Sequence, residues 1–146
     1  MSESNDFFSQ NAGKKVGDLR ASALRLDEME NGRYAIQVVS VAPVFLEKLQ
    51  GYSLRWSGKV HGGPLNGQSI AFGQLMNNDR SLGQVMAGLN RLGLKAEEVT
   101  ELVRNAGEVL PGQVVAFDKT EYTTKAGRTY HDMVTVELLE SEGLPF

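Results

Sequence analysis

Apolar side chains alternate from Tyr34 onward: Tyr34, Ile36 and Val38 fall on one side and Ala35, Gln37 and Val39 on the other, the two-residue period of a strand. Pro43 and Gly51 then bracket a connection. Beyond it Tyr52, Leu54, Trp56, Gly58 and Val60 alternate with Ser53, Arg55, Ser57, Lys59 and His61, the clearest strand in the chain. The run from His61 to Gly67 reads as a turn, and Ile70 and Phe72 mark a third strand beyond it. The period then lengthens. Leu82, Val85, Met86, Leu89 and Leu92 recur at helical spacing, with Ser81 as the cap and Gly93 as the stop. Val99, Leu102, Val103 and Ala106 predict a second helix that follows the acidic pair Glu97 and Glu98 and ends near Gly107. Pro111 and Gly112 restart the sheet: Val114, Ala116 and Asp118 stand opposite Val115, Phe117 and Lys119 in a strand running to Tyr122. A turn at Lys125 to Arg128 leads into a last strand, Tyr130 to Leu139.

The order strand, strand, strand, helix, strand, strand predicts a mainly β domain over residues 31–139. A five-stranded antiparallel Greek-key barrel of the oligonucleotide-binding (OB) type, with a helical insert between strands three and four, has that order and leaves no open edge. Residues 1–30 read as an N-terminal arm, partly mobile, in which Phe7 and Phe8 are free to dock. Two readings of its end are open. Asp18 caps a short helix burying Leu19, Leu26 and Met29, or Asn31 and Gly32 form a hairpin turn that makes Ala23 to Asp27 a strand; the hairpin is the preferred expectation. Residues 140–146 form an acidic tip.

Composition narrows the chemistry. With no cysteine and two histidines in 146 residues, disulfides, thiolate metal sites and a cysteine nucleophile are excluded, and no cofactor is expected. The longest nearly apolar stretch, Val38 to Leu46, is about half of the roughly 18 residues a spanning helix needs. No signal-like segment opens the chain, so a cytoplasmic protein is expected. The net charge of −3 hides an uneven distribution: residues 33–75 carry four basic side chains, Arg33, Lys48, Arg55 and Lys59, against Glu47 alone.

Several segments in order resemble a known group: Gly32-Arg33-Tyr34, Gly67-Gln68-Ser69, Leu89-Asn90-Arg91-Leu92-Gly93, Leu110-Pro111-Gly112-Gln113 and the hairpin Tyr122 to Tyr130. Together they resemble phage-encoded OB-fold single-stranded-DNA-binding proteins over roughly residues 30–139. That resemblance implies DNA replication or recombination in a bacterial host cytoplasm and no catalysis. Separately, Glu140, Glu142, Leu144, Pro145 and Phe146 resemble the acidic tip of bacterial single-stranded-DNA-binding proteins, with fewer acids and almost no linker. There an apolar aromatic end enters a partner's pocket while the acids meet basic residues, which implies replication or recombination proteins as partners.

Single-strand binding without sequence preference needs cations for phosphates and aromatic faces for bases. Arg55, Lys59 and His61 share the polar side of strand two, and Arg33 lies in the same basic stretch. A merely solvated strand face explains this alternation equally well. Tyr122, Lys125, Arg128 and Tyr130 surround the last hairpin, where cross-strand packing is the competing explanation. Trp56 shares its side with Leu54 and Val60, which favours the core and leaves it a second-rank stacking candidate, while Phe72 and Phe117 are assigned to the core. Phe45, Leu46 and Leu49 read as a capping segment or a contact between copies in a homo-oligomer.

Catalytic patterns fail on spacing. Gly67 to Ala71 misses a hydrolase elbow at its last residue, and His61-Gly62-Gly63 sits in a chain too short for that fold. Gly51 and Gly58-Lys59 are too far apart for a phosphate loop. His131 and Asp132, adjacent on a strand, point to opposite faces. A DNA-binding protein that is not an enzyme is expected, with a structural or assembly barrel of a phage particle as the alternative.

Overall fold

A computed structural model of the chain describes residues 24–139, together with Ala12. The tip at 140–146 and the arm up to residue 23 lie outside the described residues, apart from Ala12. Five strands form one antiparallel sheet: β1 (Gly32–Leu46), β2 (Gly51–Val60), β3 (Ser69–Leu75), β4 (Val114–Thr123) and β5 (Thr129–Leu138), in the order β3-β2-β1-β4-β5. Between β3 and β4 the chain forms α1 (Asp79–Arg91) and α2 (Val99–Val109).

β1 is longer than its alternation predicts, because Pro43 does not end it. It passes from one neighbour to the other: Gly32 to Gln37 pair with β4 and Ile36 onward with β2, the two overlapping at Ile36 and Gln37. Past Val38, β1 has a strand on one side only, and there a residue without an N–H is tolerated: Pro43 pairs with Leu54. The register slips between Val38 and Ser40, leaving Val39 as a bulge that bends the strand and turns its own side chain outward. Opposite the bend stands Gly58, where any Cβ would collide with the carbonyl of Gln37. The expected connection reduces to one 3-10 turn, Glu47–Leu49, closed by Gln50 in the left-handed region.

The core fills the concave side. Trp56, Phe72 and Phe117 meet at its centre, with centroids 5.0 to 6.3 Å apart. Around them lie Ile36, Leu54, Ile70 and Val115 from the strands and Val85, Leu89, Leu102 and Ala106 from the helices. The cap of α1 is Asn78 rather than Ser81: Asn78 Oδ1 accepts from the Ser81 amide at 2.8 Å, and Ser81 Oγ accepts from the Asn78 amide at 3.2 Å. Gly93 stops the helix as expected, at φ 90°. Gly88 lets α1 lie against β5, since a Cβ there would stand 3.1 Å from the Thr135 Cβ.

The expected barrel is not closed. β3 and β5 are the two edges of the sheet and do not pair with each other. They are held a side chain apart: Gln74 Nε2 donates to the Met133 carbonyl at 2.9 Å and to Thr135 Oγ1 at 3.0 Å, while its Oε1 accepts from Trp56 Nε1 at 2.9 Å. From α1, Arg91 Nε donates to the Thr135 carbonyl at 3.0 Å. These groups occupy the place of a backbone ladder.

The expected hairpin before β1 does not form either. Leu24 instead makes an isolated parallel bridge to Ile70 on the free edge of β3, and a 3-10 turn, Leu26–Glu28, leads to the buried Met29. Burying Met29 against the core outweighs the turn preference of Asn31-Gly32, and Gly32 simply opens β1.

Candidate nucleic-acid interface

The convex side of β1, β2 and β3 is built by register. Arg55 stands between Ala42 and Gly73, Ser57 between Ser40 and Ala71, and Lys59 between Gln37 and Ser69. Apart from the two cations and Gln37, no side chain in these rows is longer than a serine. The Ser40 and Ser57 hydroxyls meet at 2.6 Å. Arg55 and Lys59 are exposed, about 13 Å apart along the strand by its rise. Among the described residues neither forms an ion pair. His61, also exposed, continues the same side just past the strand end, its amide held by the Ala35 carbonyl at 2.8 Å.

Arg33 lies on the same side of β1, two residues from Ala35, and differs from Arg55 and Lys59 in being ion-paired. Its Nε and Nη2 donate to the two carboxylate oxygens of Asp118 at 2.9 and 3.2 Å, across the β1–β4 pair. That hydrogen-bonded pairing holds the Asp118 carboxyl below the ordinary aspartate range and raises Arg33 above its own. Arg55 and Lys59 have no such carboxylate partner among the described residues. Trp56 is 1% exposed and in the core, so it offers no ring to a ligand.

Tyr122 and Tyr130 are directly opposed on β4 and β5 and stack with centroids 5.4 Å apart. At 56% and 44% exposure they remain accessible. The Thr124–Arg128 turn closes the hairpin, with Lys125 and Arg128 exposed upon it. Across the open seam, a cavity of about 500 Å³ is lined by Gly73 and Leu75 on one side and by Asp132 and Val134 on the other. Arg55 neighbours Gly73, and Tyr130 lies two residues, about 7 Å, along β5 from Asp132. The cavity thus has on one wall Gly73, the strand partner of Arg55, and on the other Asp132, two residues from Tyr130. His131 and Asp132 face opposite sides, as expected.

Three features escape the sequence. Lys119 is buried, its side chain 1% exposed, and its Nζ donates to Asn31 Oδ1 at 3.0 Å and His131 Nδ1 at 2.9 Å, with Glu121 at 3.7 Å. Lys119 shares the parity of Phe117, which was the available signal. Phe45 and Tyr52 pack edge to face at 5.2 Å, both about half exposed, on the distal β1–β2 hairpin. Tyr52 also borders an apolar groove of about 690 Å³ between that hairpin and the helices, with Val41, Met76, Leu82, Val103 and Arg104.

Among the described residues no cluster of three or more side chains is arranged to hold a metal ion, and no helix is long and apolar enough to cross a membrane. No family model matches the chain, and no curated protein matches it.

Proposed function

We propose that the chain binds single-stranded DNA without strong sequence preference, on the convex β1–β3 face and the Tyr122–Tyr130 arm. The observation that carries this is the pair of exposed cations, Arg55 and Lys59, free of ion pairs among the described residues and set in rows of neutral side chains that are small apart from Gln37. The strand order and the helices between β3 and β4 support an OB-type fold left partly open, and in that fold strands two and three and the β4–β5 loop form the usual oligonucleotide side. Stacked tyrosines beside Lys125 and Arg128 supply the aromatic component. A role in phage replication or recombination, in the host cytoplasm, rests on the sequence resemblance alone. So does a partner for the tip at Glu140, Glu142 and Leu144 to Phe146.

The test is fluorescence anisotropy with labelled oligothymidine at low salt. Binding at micromolar or lower concentration, weakening with added salt and abolished by Arg55→Glu with Lys59→Glu, is the expected result. Binding that survives the double substitution moves the site elsewhere. A second reading, a structural or assembly protein working through protein contacts, is favoured by the apolar groove beside Tyr52 and the exposed Phe45. It predicts no binding of oligothymidine at any salt concentration.

A further inference from the structure

Resting on that reading, we infer that the β1–β3 face grips the sugar–phosphate backbone rather than the bases, and that base faces are engaged only at the Tyr122–Tyr130 arm. Base stacking needs an exposed ring, and the three rows through Arg55, Ser57 and Lys59 contain none. Of the other rings on this part of the sheet, Trp56 and Phe72 are buried in the core, and Phe45 and Tyr52, half exposed, pack on each other on the core side of the β1–β2 hairpin, the side opposite Arg55 and Lys59, where Tyr52 borders the apolar groove.

What the rows do contain suits a phosphodiester chain. The Ser69 hydroxyl, the one O–H left over by the Ser40–Ser57 hydrogen bond and the Gln37 amide can donate to phosphate oxygens, as ordinary backbone contacts do. Ala42 and Gly73 on either side of Arg55 leave its guanidinium standing clear of its neighbours. No carboxylate lies in these rows to compete with a phosphate for Arg55 or Lys59. The ligand class recognised on this face is therefore a flexible phosphodiester strand irrespective of its bases. Preference for a strand that carries bases comes from the arm.

The arm can act separately because it is built separately. β4 pairs with β1 only from Val114 to Lys119, so Thr120 to Thr123 with Thr129 to Asp132 form a two-stranded projection. The tyrosines sit on that projection, their stacked rings leaving one face each toward solvent.

The experiment compares oligothymidine with an abasic oligonucleotide of equal length by anisotropy. The proteins are the full chain, a Tyr122→Thr and Tyr130→Thr double variant, and Arg55→Lys. Threonine is chosen because its β-branched side chain keeps the strands favourable; circular dichroism and the melting transition check the fold. For the unaltered chain, the abasic strand binds about ten-fold more weakly than oligothymidine, the loss of one stacked base. The tyrosine variant binds both strands alike, at the affinity the unaltered chain has for the abasic one. Arg55→Lys keeps the charge but loses the planar group, and it leaves the ratio between the strands unchanged.

Oligothymidine binding with no measurable abasic binding overturns the inference while leaving DNA binding standing, because the face would then read bases. A ratio that persists in the tyrosine variant, or collapses in Arg55→Lys, overturns it as well. No binding of either strand overturns the proposed function and the inference with it.

Discussion

Arg33 and Arg55 show how little a residue type says before its neighbours are known. Both are exposed arginines on neighbouring strands, yet Arg33 is held by Asp118 in a two-point contact and Arg55 meets only Ala42 and Gly73 across its strand pairs. The pairing has a pH signature. Arg33 depresses the Asp118 carboxyl, so the stabilisation it gives is present above the ordinary aspartate range and is lost as pH falls through the lowered value. Arg33→Ala therefore moves the Asp118 titration, followed by carboxyl NMR, to higher pH and leaves DNA affinity nearly unchanged. Asp132 offers the opposite test. Its exposed carboxylate lines the seam cavity two residues from Tyr130, and Asp132→Asn raises oligothymidine affinity about three-fold, since screened repulsion in water is worth below about 1 kcal/mol. Trp56 is a matter of stability: Trp56→Ala costs about 3 to 5 kcal/mol, read by denaturant unfolding.

At the scale of elements, the seam between β3 and β5 decides the architecture. Gln74 ties both edges and the indole of Trp56, so Gln74→Ala leaves Trp56 Nε1 and the Met133 carbonyl unpartnered. The expected loss is about 1 to 3 kcal/mol, with faster amide exchange along Met133 to Thr135 in hydrogen-exchange measurements. An unchanged stability would mean the seam is held by α1 alone. The period-two stretches were legible in β1 and β2 because alternate positions are buried, whereas β4 opens with four consecutive buried residues, Val114 to Phe117, and was legible by its apolar run after Pro111-Gly112; both helices were legible by their spacing. The seam was not, because a glutamine inside an alternating strand carries no mark that its amide replaces a ladder. Pro43 misled for a related reason: a missing N–H matters only where a neighbouring strand is waiting for it, and strand order is not visible along one stretch. Asn31-Gly32 signalled a hairpin that burial of Met29 overrides.

For the whole molecule, the cationic side of β2 was readable from alternation alone, but the character of the face was not. That Arg55 and Lys59 stand among alanine, glycine and serine depends on register across three strands, which the bulge at Val39 shifts by one residue. The same dependence hid the pairing of Arg33, 85 residues from Asp118 in sequence. Four cations, Arg55, Lys59, Lys125 and Arg128, give an expected slope of log affinity against log salt of about −3 for a single strand. The most direct test of the account is that slope, measured by oligothymidine anisotropy for the unaltered chain and for Arg55→Glu with Lys59→Glu, with melting curves to check the fold. Salt-sensitive binding near that slope is expected, abolished by the double substitution with the melting transition little changed. Equal affinity and equal slope in the two proteins would contradict it.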